Sequence, residues 1–259
     1  MVAAVIVPFL SSRVPTSGPL PPPQQLVVET ASLIAVLFTA AVLRRFVDRQ
    51  PLATLGFHSR RAPLDLLAGL ALGLAMMAAC VIALLAGGWA WWDPSGRFVP
   101  SSLALALFTM LLNTVTQEVL VRGYVQRTLQ ERFTAAAAVI VSALMFAGMH
   151  AGAIHARPLP AMSLFAAGIL LGTARSLTDN LWLPIGVHFG WNALQGPVLG
   201  QLVSGQPLSA GRQLVHIEGP TWITGGTFGI EGGVIALIVT FLAVLVLLAA
   251  DRVHRWSRR

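Results

Sequence analysis

Apolar and polar positions in this chain alternate in long blocks rather than in the short periods of a soluble protein. Short stretches rich in Gly, Pro and Arg separate the apolar runs. A helix that spans a bilayer needs about 20 apolar residues, and five of the runs approach or exceed that length. The fourth and fifth runs are shorter, which is typical of helices that border a cavity. The pattern predicts an all-α bundle of about seven transmembrane helices, at 26–43, 64–87, 101–121, 135–150, 159–174, 181–203 and 233–250.

The composition supports a membrane protein and excludes several chemistries. Hydrophobic residues make up 56% of the 259 residues and charged residues only 10%, against about 25% in soluble domains. Lysine is absent, so the 17 basic residues are all arginine. A lysine Schiff base, as in a retinal protein, and a Ser/Lys dyad are therefore excluded. Cys80 is the only cysteine, which excludes an intrachain disulfide and a thiolate metal cluster.

The arginines predict how the bundle is oriented. They lie at the ends of apolar runs rather than in one patch, so the net charge of +7 does not indicate a nucleic-acid partner. With seven spans, the arginine-rich segments all fall on one side, which predicts an external N-terminus and a cytoplasmic C-terminus. Residues 51–63 are expected to form an interfacial connector, and the Gly-rich segment 204–232 an ordered external loop. The richest segments contain Arg44, Arg45, Arg49, Arg60, Arg61, Arg127, Arg132, Arg252, Arg255, Arg258 and Arg259.

A small set of polar residues interrupts the apolar runs. An ionisable side chain inside a membrane is costly, so each one is a candidate functional residue. The third run carries Glu118 and Arg122, the fourth ends at His150, and the sixth contains His188. Their uncharged companions are Asn113, Gln117 and Asn192.

The spacing of these residues predicts which of them act together. Glu118 and Arg122 are four residues apart, so they share one helix face within salt-bridge distance. Gln117 points about 100° away from Glu118 around the helix. His188 and Asn192 are also four apart, and together they present two hydrogen-bond donors to one place, as an oxyanion requires. We expect a polar cavity among the third, fourth and sixth spans.

Several hydrolytic chemistries lack their motifs. The HExxH zinc-protease motif is absent, the aspartates all lie at run ends or in loops, and no GxSG-type nucleophile accompanies a histidine within a span. Two possibilities remain open. A carboxylate and a histidine activate water, or a divalent metal such as zinc is held by Glu118, His150 and His188.

Three motifs resemble those of the CAAX-protease and bacteriocin-processing family, which contains intramembrane endopeptidases related to the Ras-converting CAAX protease. They are QEVLVRG at 117–123, FAGMH at 146–150 and HFGWN at 188–192, in the order in which the family has EExxxR, FxxxH and HxxxN. The resemblance covers about 100–230 and implies a catalytic core at 101–232. Residues 1–100 carry no recognised motif, and 233–259 form the last span and a basic tail of the same structural domain.

The resemblance also implies roles for individual residues. His150 becomes the partner of the general base, His188 and Asn192 the oxyanion donors, and Glu118, Arg122 and Phe146 supporting residues. The first glutamate of the family, the general base, is replaced by Gln117, which cannot take a proton from water. Three explanations stay open: a substitution introduced to trap substrate, catalysis by Glu118 or His150 instead, or a member that binds without cutting.

The sequence therefore predicts an intramembrane endopeptidase of glutamate/histidine type in a bacterial inner membrane. Its expected partners are a membrane-associated protein or peptide substrate and the lipid bilayer, and no cofactor is expected. Leader peptides, bacteriocin precursors and sorting tails are all open as substrates. The alternative is a non-catalytic membrane binding or immunity protein, which the residue at 117 favours.

Overall fold

A computed structural model describes residues 22–93, 95, 99–154, 157–207 and 213–256. The predicted all-α bundle is confirmed. Its helices are α1 (Pro22–Val42), α2 (Ala62–Ala86), α3 (Pro100–Gln130), α4 (Ala135–Met149), α5 (Ala151–Ile154), α6 (Pro158–Thr178), α7 (Trp182–Ala193), α8 (Thr221–Thr224) and α9 (Val234–Trp256). Three π-helical segments extend or interrupt them, at Leu43–Val47 after α1, Val119–Gln126 within α3 and Leu194–Val198 after α7.

The number of spans stays a prediction. Four helices are long and apolar enough to cross a membrane, at Pro22–Val47, Ala62–Ala86, Pro100–Gln130 and Pro158–Thr178. Two shorter apolar helices, Ala135–Met149 and Val234–Ala250, accompany them. Residues 1–21 and 257–259, which bear on the predicted orientation, lie outside the described residues.

Local sequence signals fix where several helices begin. A proline lies in the first turn of α2, α3 and α6, where its missing N–H costs no helical hydrogen bond. Thr134 caps α4, because its side chain accepts a hydrogen bond from the Ala137 N–H at 3.2 Å.

The described residues include short strands, in and near the predicted external loop 204–232, that the helical pattern did not predict. Strand β1 (Ala90–Trp92) pairs antiparallel with β4 (Val215–Ile217), and β2 (Leu202–Val203) pairs with β3 (Gln206–Pro207). Two 3₁₀ turns, Gly226–Phe228 and Ile230–Gly232, then lead into α9.

At the end of the bundle where α1, α3 and α6 finish, buried arginines join the helices to the connector. Arg44 pairs with Glu131 and donates to Thr54 Oγ1 at 2.7 Å. Arg175 pairs with Asp179 at 2.8 Å and donates to the Thr54 carbonyl. The connector, a 3₁₀ turn at Leu52–Leu55 followed by a loop, is therefore tied to three helices.

Glycines bring α2 and α7 into backbone contact. A Cβ at Gly69 would lie 2.3 Å from the Leu183 carbonyl oxygen, and one at Gly73 2.1 Å from that of Val187. On α7, Gly186 and Gly190 approach α2 equally closely. Such small-xxx-small faces allow close helix packing in membranes. Because His188 lies about 200° around the helix from both α7 glycines, this contact directs it away from α2.

Gly73→Ala is expected to lower the free energy of unfolding by about 1–3 kcal/mol, because the added methyl forces the two backbones apart. Gly148→Ala is the matched control, since a Cβ on this exposed helical glycine would meet nothing within 4 Å. Thermal unfolding of the two variants in detergent measures the difference. Equal stability of the two would contradict the close helix contact.

Candidate active site

Five of the predicted site residues, Phe146 of α4 among them, line one cavity of about 890 Å³ inside the bundle. Gln117 reaches it from α3, His150 from the end of α4, and His188 and Asn192 from α7. The wall is wider than predicted, since residues of α1, α2, α6, α9 and the 203–207 hairpin also line it. The structure therefore brings together side chains that are up to 75 positions apart in the sequence.

The two neighbours Gln117 and Glu118 lie in different surroundings. Glu118 is fully buried, and its Oε1 accepts hydrogen bonds from Arg122 Nη1 at 3.1 Å and from His188 Nδ1 at 2.8 Å. Gln117 lines the cavity, whereas Glu118 lies behind His188. The Glu118 carboxylate is thus bound to two donor side chains, and the Gln117 side chain lies on the cavity wall.

A chain of hydrogen bonds orients Gln117. Its Nε2 donates to Asn113 Oδ1 at 2.8 Å, and Asn113 Nδ2 donates to Glu29 Oε1 on α1 at 3.1 Å. The Gln117 Oε1 is buried without a hydrogen-bond partner among the described residues. The side chain therefore supplies an amide, and no base, at this position.

The π-helical segment Val119–Gln126 begins immediately after Glu118. π-bulges within α-helices occur frequently at functional sites. The segment places Arg122 so that it pairs with Glu118, donates to the Gly168 carbonyl at 3.2 Å and lies 4.5 Å from the Phe146 ring centroid. The Glu118 carboxylate, directly before this segment, is bound to Arg122 and His188.

His150 has a defined tautomer. Its Nδ1 lies 2.9 Å from the Phe146 carbonyl oxygen, which only accepts hydrogen bonds, so Nδ1 carries the proton and Nε2 of the neutral ring is unprotonated. The ring folds back one turn along α4 to make this bond. Phe146 then contacts both histidines, with ring centroids 5.0 Å from His150 and 5.7 Å from His188.

His188 and Asn192 lie on the face of α7 opposite its glycines. Both are largely buried, at 8% and 5% exposure. The Asn192 carboxamide makes no hydrogen bond to another residue that the structure describes, and it remains free for a ligand. The predicted pair is therefore present, with Glu118 as an additional buried partner behind His188.

Within the described ranges, no group of three His, Cys, Asp or Glu side chains is placed to hold a metal ion. Glu118 Oε1 is occupied by Arg122 and His188 Nδ1. The zinc alternative thus has no assembled set of ligands in this part of the chain.

Two carboxylates on the cavity wall were not identified from the sequence. Glu29 lies in the first helix, and Glu231 lies in the 3₁₀ turn before α9, where Ser204 binds it. Glu231 had a sequence signal, since it is the last carboxylate of the glycine-rich segment before the final apolar run. Its approach to the cavity depends on the fold of the loop, which no local pattern predicts.

Residues 99–194 match the family model described as Type II CAAX prenyl endopeptidase Rce1-like. The matched region contains Gln117, Glu118, His150, His188 and Asn192, so the resemblance predicted from the three motifs is confirmed. It contains neither of the additional carboxylates. A comparison with curated proteins found no match.

Proposed function

Since residues 99–194 match the Rce1-like family of type II CAAX prenyl endopeptidases, we propose that this membrane protein is an intramembrane endopeptidase that hydrolyses a peptide bond of a membrane-associated protein or peptide. One observation carries the proposal. Gln117, His150, His188 and Asn192 line a single cavity within the bundle. The polar groups needed for hydrolysis thus face one space that is large enough for an extended peptide segment.

His150 is the residue suited to take the proton of the attacking water. Its Nδ1–H is held by the Phe146 carbonyl, which leaves the Nε2 lone pair for the cavity. A positioned imidazole contributes about 10²–10⁴-fold to such a step. The same nitrogen then returns the proton to the leaving amine when the C–N bond breaks.

His188 and Asn192 are suited to hold the oxyanion of the tetrahedral intermediate. The Asn192 amide donates directly. The His188 ring donates through Nε2 when it is protonated, and Glu118, bound to Nδ1, stabilises that imidazolium as a buried carboxylate does in a catalytic triad. Arg122 Nη1, 3.1 Å from Glu118 Oε1, holds the carboxylate in place.

The apolar part of the wall supports a membrane-associated substrate. Apolar side chains line the cavity beside the polar residues, among them Met76, Met110, Leu164 and Leu171. Such a surface accommodates apolar side chains, while a few convergent polar groups fix the orientation of the bound chain.

The test compares new protein termini in membranes of cells that express the chain or its His188→Ala variant, in a host without relatives. His188→Ala is expected to lower the formation of product termini at least about 100-fold, because the oxyanion loses a donor. His58→Ala, an exposed histidine of the connector, is the control and leaves the termini unchanged. Termini that persist undiminished in His188→Ala would remove the proposal.

A non-catalytic binding protein is the second candidate, favoured by the amide at position 117. On this alternative the chain produces no termini, and Gln117→Glu creates them. The same mass-spectrometric comparison therefore separates an active enzyme from a membrane protein that holds its substrate uncut.

A further inference from the structure

We propose that Glu231 supplies the carboxylate of the catalytic cavity that position 117 lacks, by holding the attacking water together with His150. This inference rests on the proposed function and identifies a residue outside the region that matches the family. With Glu231 in this role, the chain has a carboxylate on the cavity wall although α3 carries Gln117 at the position of the family's first glutamate.

Glu231 is placed by the loop that closes the cavity. Its 3₁₀ turn, Ile230–Gly232, precedes α9, and the turn of the β2–β3 hairpin packs against it. Ser204 binds the carboxylate twice, through its N–H and through Oγ, which lies 2.8 Å from Oε1. Glu231 and Ser204 both line the cavity that contains His150 and His188.

The backbone on the Ser204 side of this contact is strained. Ser204 has φ +48°, a left-handed conformation that is unfavourable for a residue with a side chain. Across from it, Gly229 has φ +102°, and a Cβ there would lie 2.1 Å from the Leu202 carbonyl oxygen. Strain of this kind persists where the surrounding contacts fix it, and here it holds two donors on one carboxylate oxygen.

The charge environment suits a carboxylate that binds water. Burial raises the pKa of Glu231, and the two donors of Ser204, nearby His188 and the Trp191 side chain act in the opposite direction by favouring the ionised form. Both Ser204 bonds go to Oε1, so Ser204 does not use the second carboxylate oxygen, and Trp191 is the other donor side chain beside the carboxylate.

The other carboxylates of the site have different partners. Glu118 is bound to Arg122 and His188, and Glu29 holds Asn113, which in turn holds Gln117. Among the carboxylates that line the cavity, Glu231 alone has no link to Gln117 through described hydrogen bonds and instead approaches the space from the opposite, loop side.

In the proposed step, Glu231 and His150 hold one water molecule between them. One O–H of the water points to His150 Nε2 and the other to the Glu231 carboxylate. The water oxygen bonds to the peptide carbon as its first proton passes to Nε2, and the carbonyl electron pair becomes the oxyanion. Glu231 stabilises the resulting imidazolium. When the intermediate collapses, the C–N bond breaks and His150 returns its proton to the leaving nitrogen.

The experiment measures formation of product termini by isotope-labelled mass spectrometry in membranes with equal amounts of full-length chain. Glu231→Gln is expected to lower the rate at least about 100-fold. The double variant Gln117→Glu/Glu231→Gln is expected to recover at least a tenth of the original rate, because a carboxylate again faces the water. Glu218→Gln, an exposed carboxylate of the same loop segment, is the control with an unchanged rate.

Each outcome bears on the inference. Full activity of Glu231→Gln overturns the inference about Glu231 and leaves the proposed function intact. The same conclusion follows if Gln117→Glu/Glu231→Gln is as inactive as Glu231→Gln. If Glu29→Gln is inactive and Glu231→Gln is fully active, Glu29 of α1, and not Glu231, is the carboxylate that holds the water. If Glu231→Gln does not fold, Glu231→Asp serves as the second variant, because aspartate keeps the carboxylate charge. A cleavage rate of Glu231→Asp as low as that of Glu231→Gln contradicts the inference. If the unchanged chain yields no termini, the proposed function and this inference fail together.

Discussion

His150→Gln is expected to lower the rate of peptide-bond cleavage by a factor of about 10²–10⁴ with little change in stability. A glutamine amide can still donate to the Phe146 carbonyl, which now accepts from Nδ1 at 2.9 Å. It fills a similar volume beside the Phe146 ring. It has no lone pair that takes a proton from water near neutral pH, so the structure of the site survives and the proton transfer is lost. Initial rates of terminus formation at equal protein amounts measure this effect.

The control for this variant is His58→Gln, which makes the same substitution on an exposed part of the connector. Thermal unfolding in detergent is expected to give nearly the same midpoint for both proteins. A His150→Gln variant that cleaves at the unchanged rate would exclude His150 as the base. A variant that unfolds far below the control would instead assign the residue a structural role at the end of α4.

The parts of the site that could be predicted from the sequence are those that local helical geometry determines. Buried charges stand out in apolar runs, and a spacing of four residues puts Glu118 with Arg122 and His188 with Asn192 on common faces. The divergence of Gln117 from Glu118 follows from the same geometry, and the structure places the two side chains as that spacing requires.

Other features depend on contacts between distant segments. The glycine pairs of α2 and α7 are visible as small-residue spacings, but only the tertiary structure reveals that they face each other. The π-helical turn after Glu118 leaves no mark in the apolar pattern. Glu231 reaches the cavity because Ser204, 27 residues earlier, binds it, and a glycine-rich loop carries no periodicity from which that contact follows.

Arg122→Met is expected to destabilise the protein by about 3–5 kcal/mol, because it leaves the Glu118 carboxylate buried without its charge partner. Both side chains have no exposed surface, and Arg122 also donates to the Gly168 carbonyl. Thermal unfolding in detergent measures the loss. The matched comparison is Glu118→Gln/Arg122→Met, which removes both charges and retains an oxygen that accepts from His188 Nδ1.

The double variant is expected to regain most of the stability, since replacing both members of a buried ion pair is often nearly neutral. It is not expected to regain activity, because an amide orients His188 but does not stabilise its protonated ring, and the oxyanion then loses a charged donor. If the double variant is no more stable than Arg122→Met, Arg122 stabilises the protein through its hydrogen bond to Gly168 and its contact with the Phe146 ring, and not through its charge pair with Glu118. One that is stable and fully active would mean that the ion pair serves the fold alone. Stability without activity would establish that Glu118 has two separable tasks, one for the bundle and one for His188.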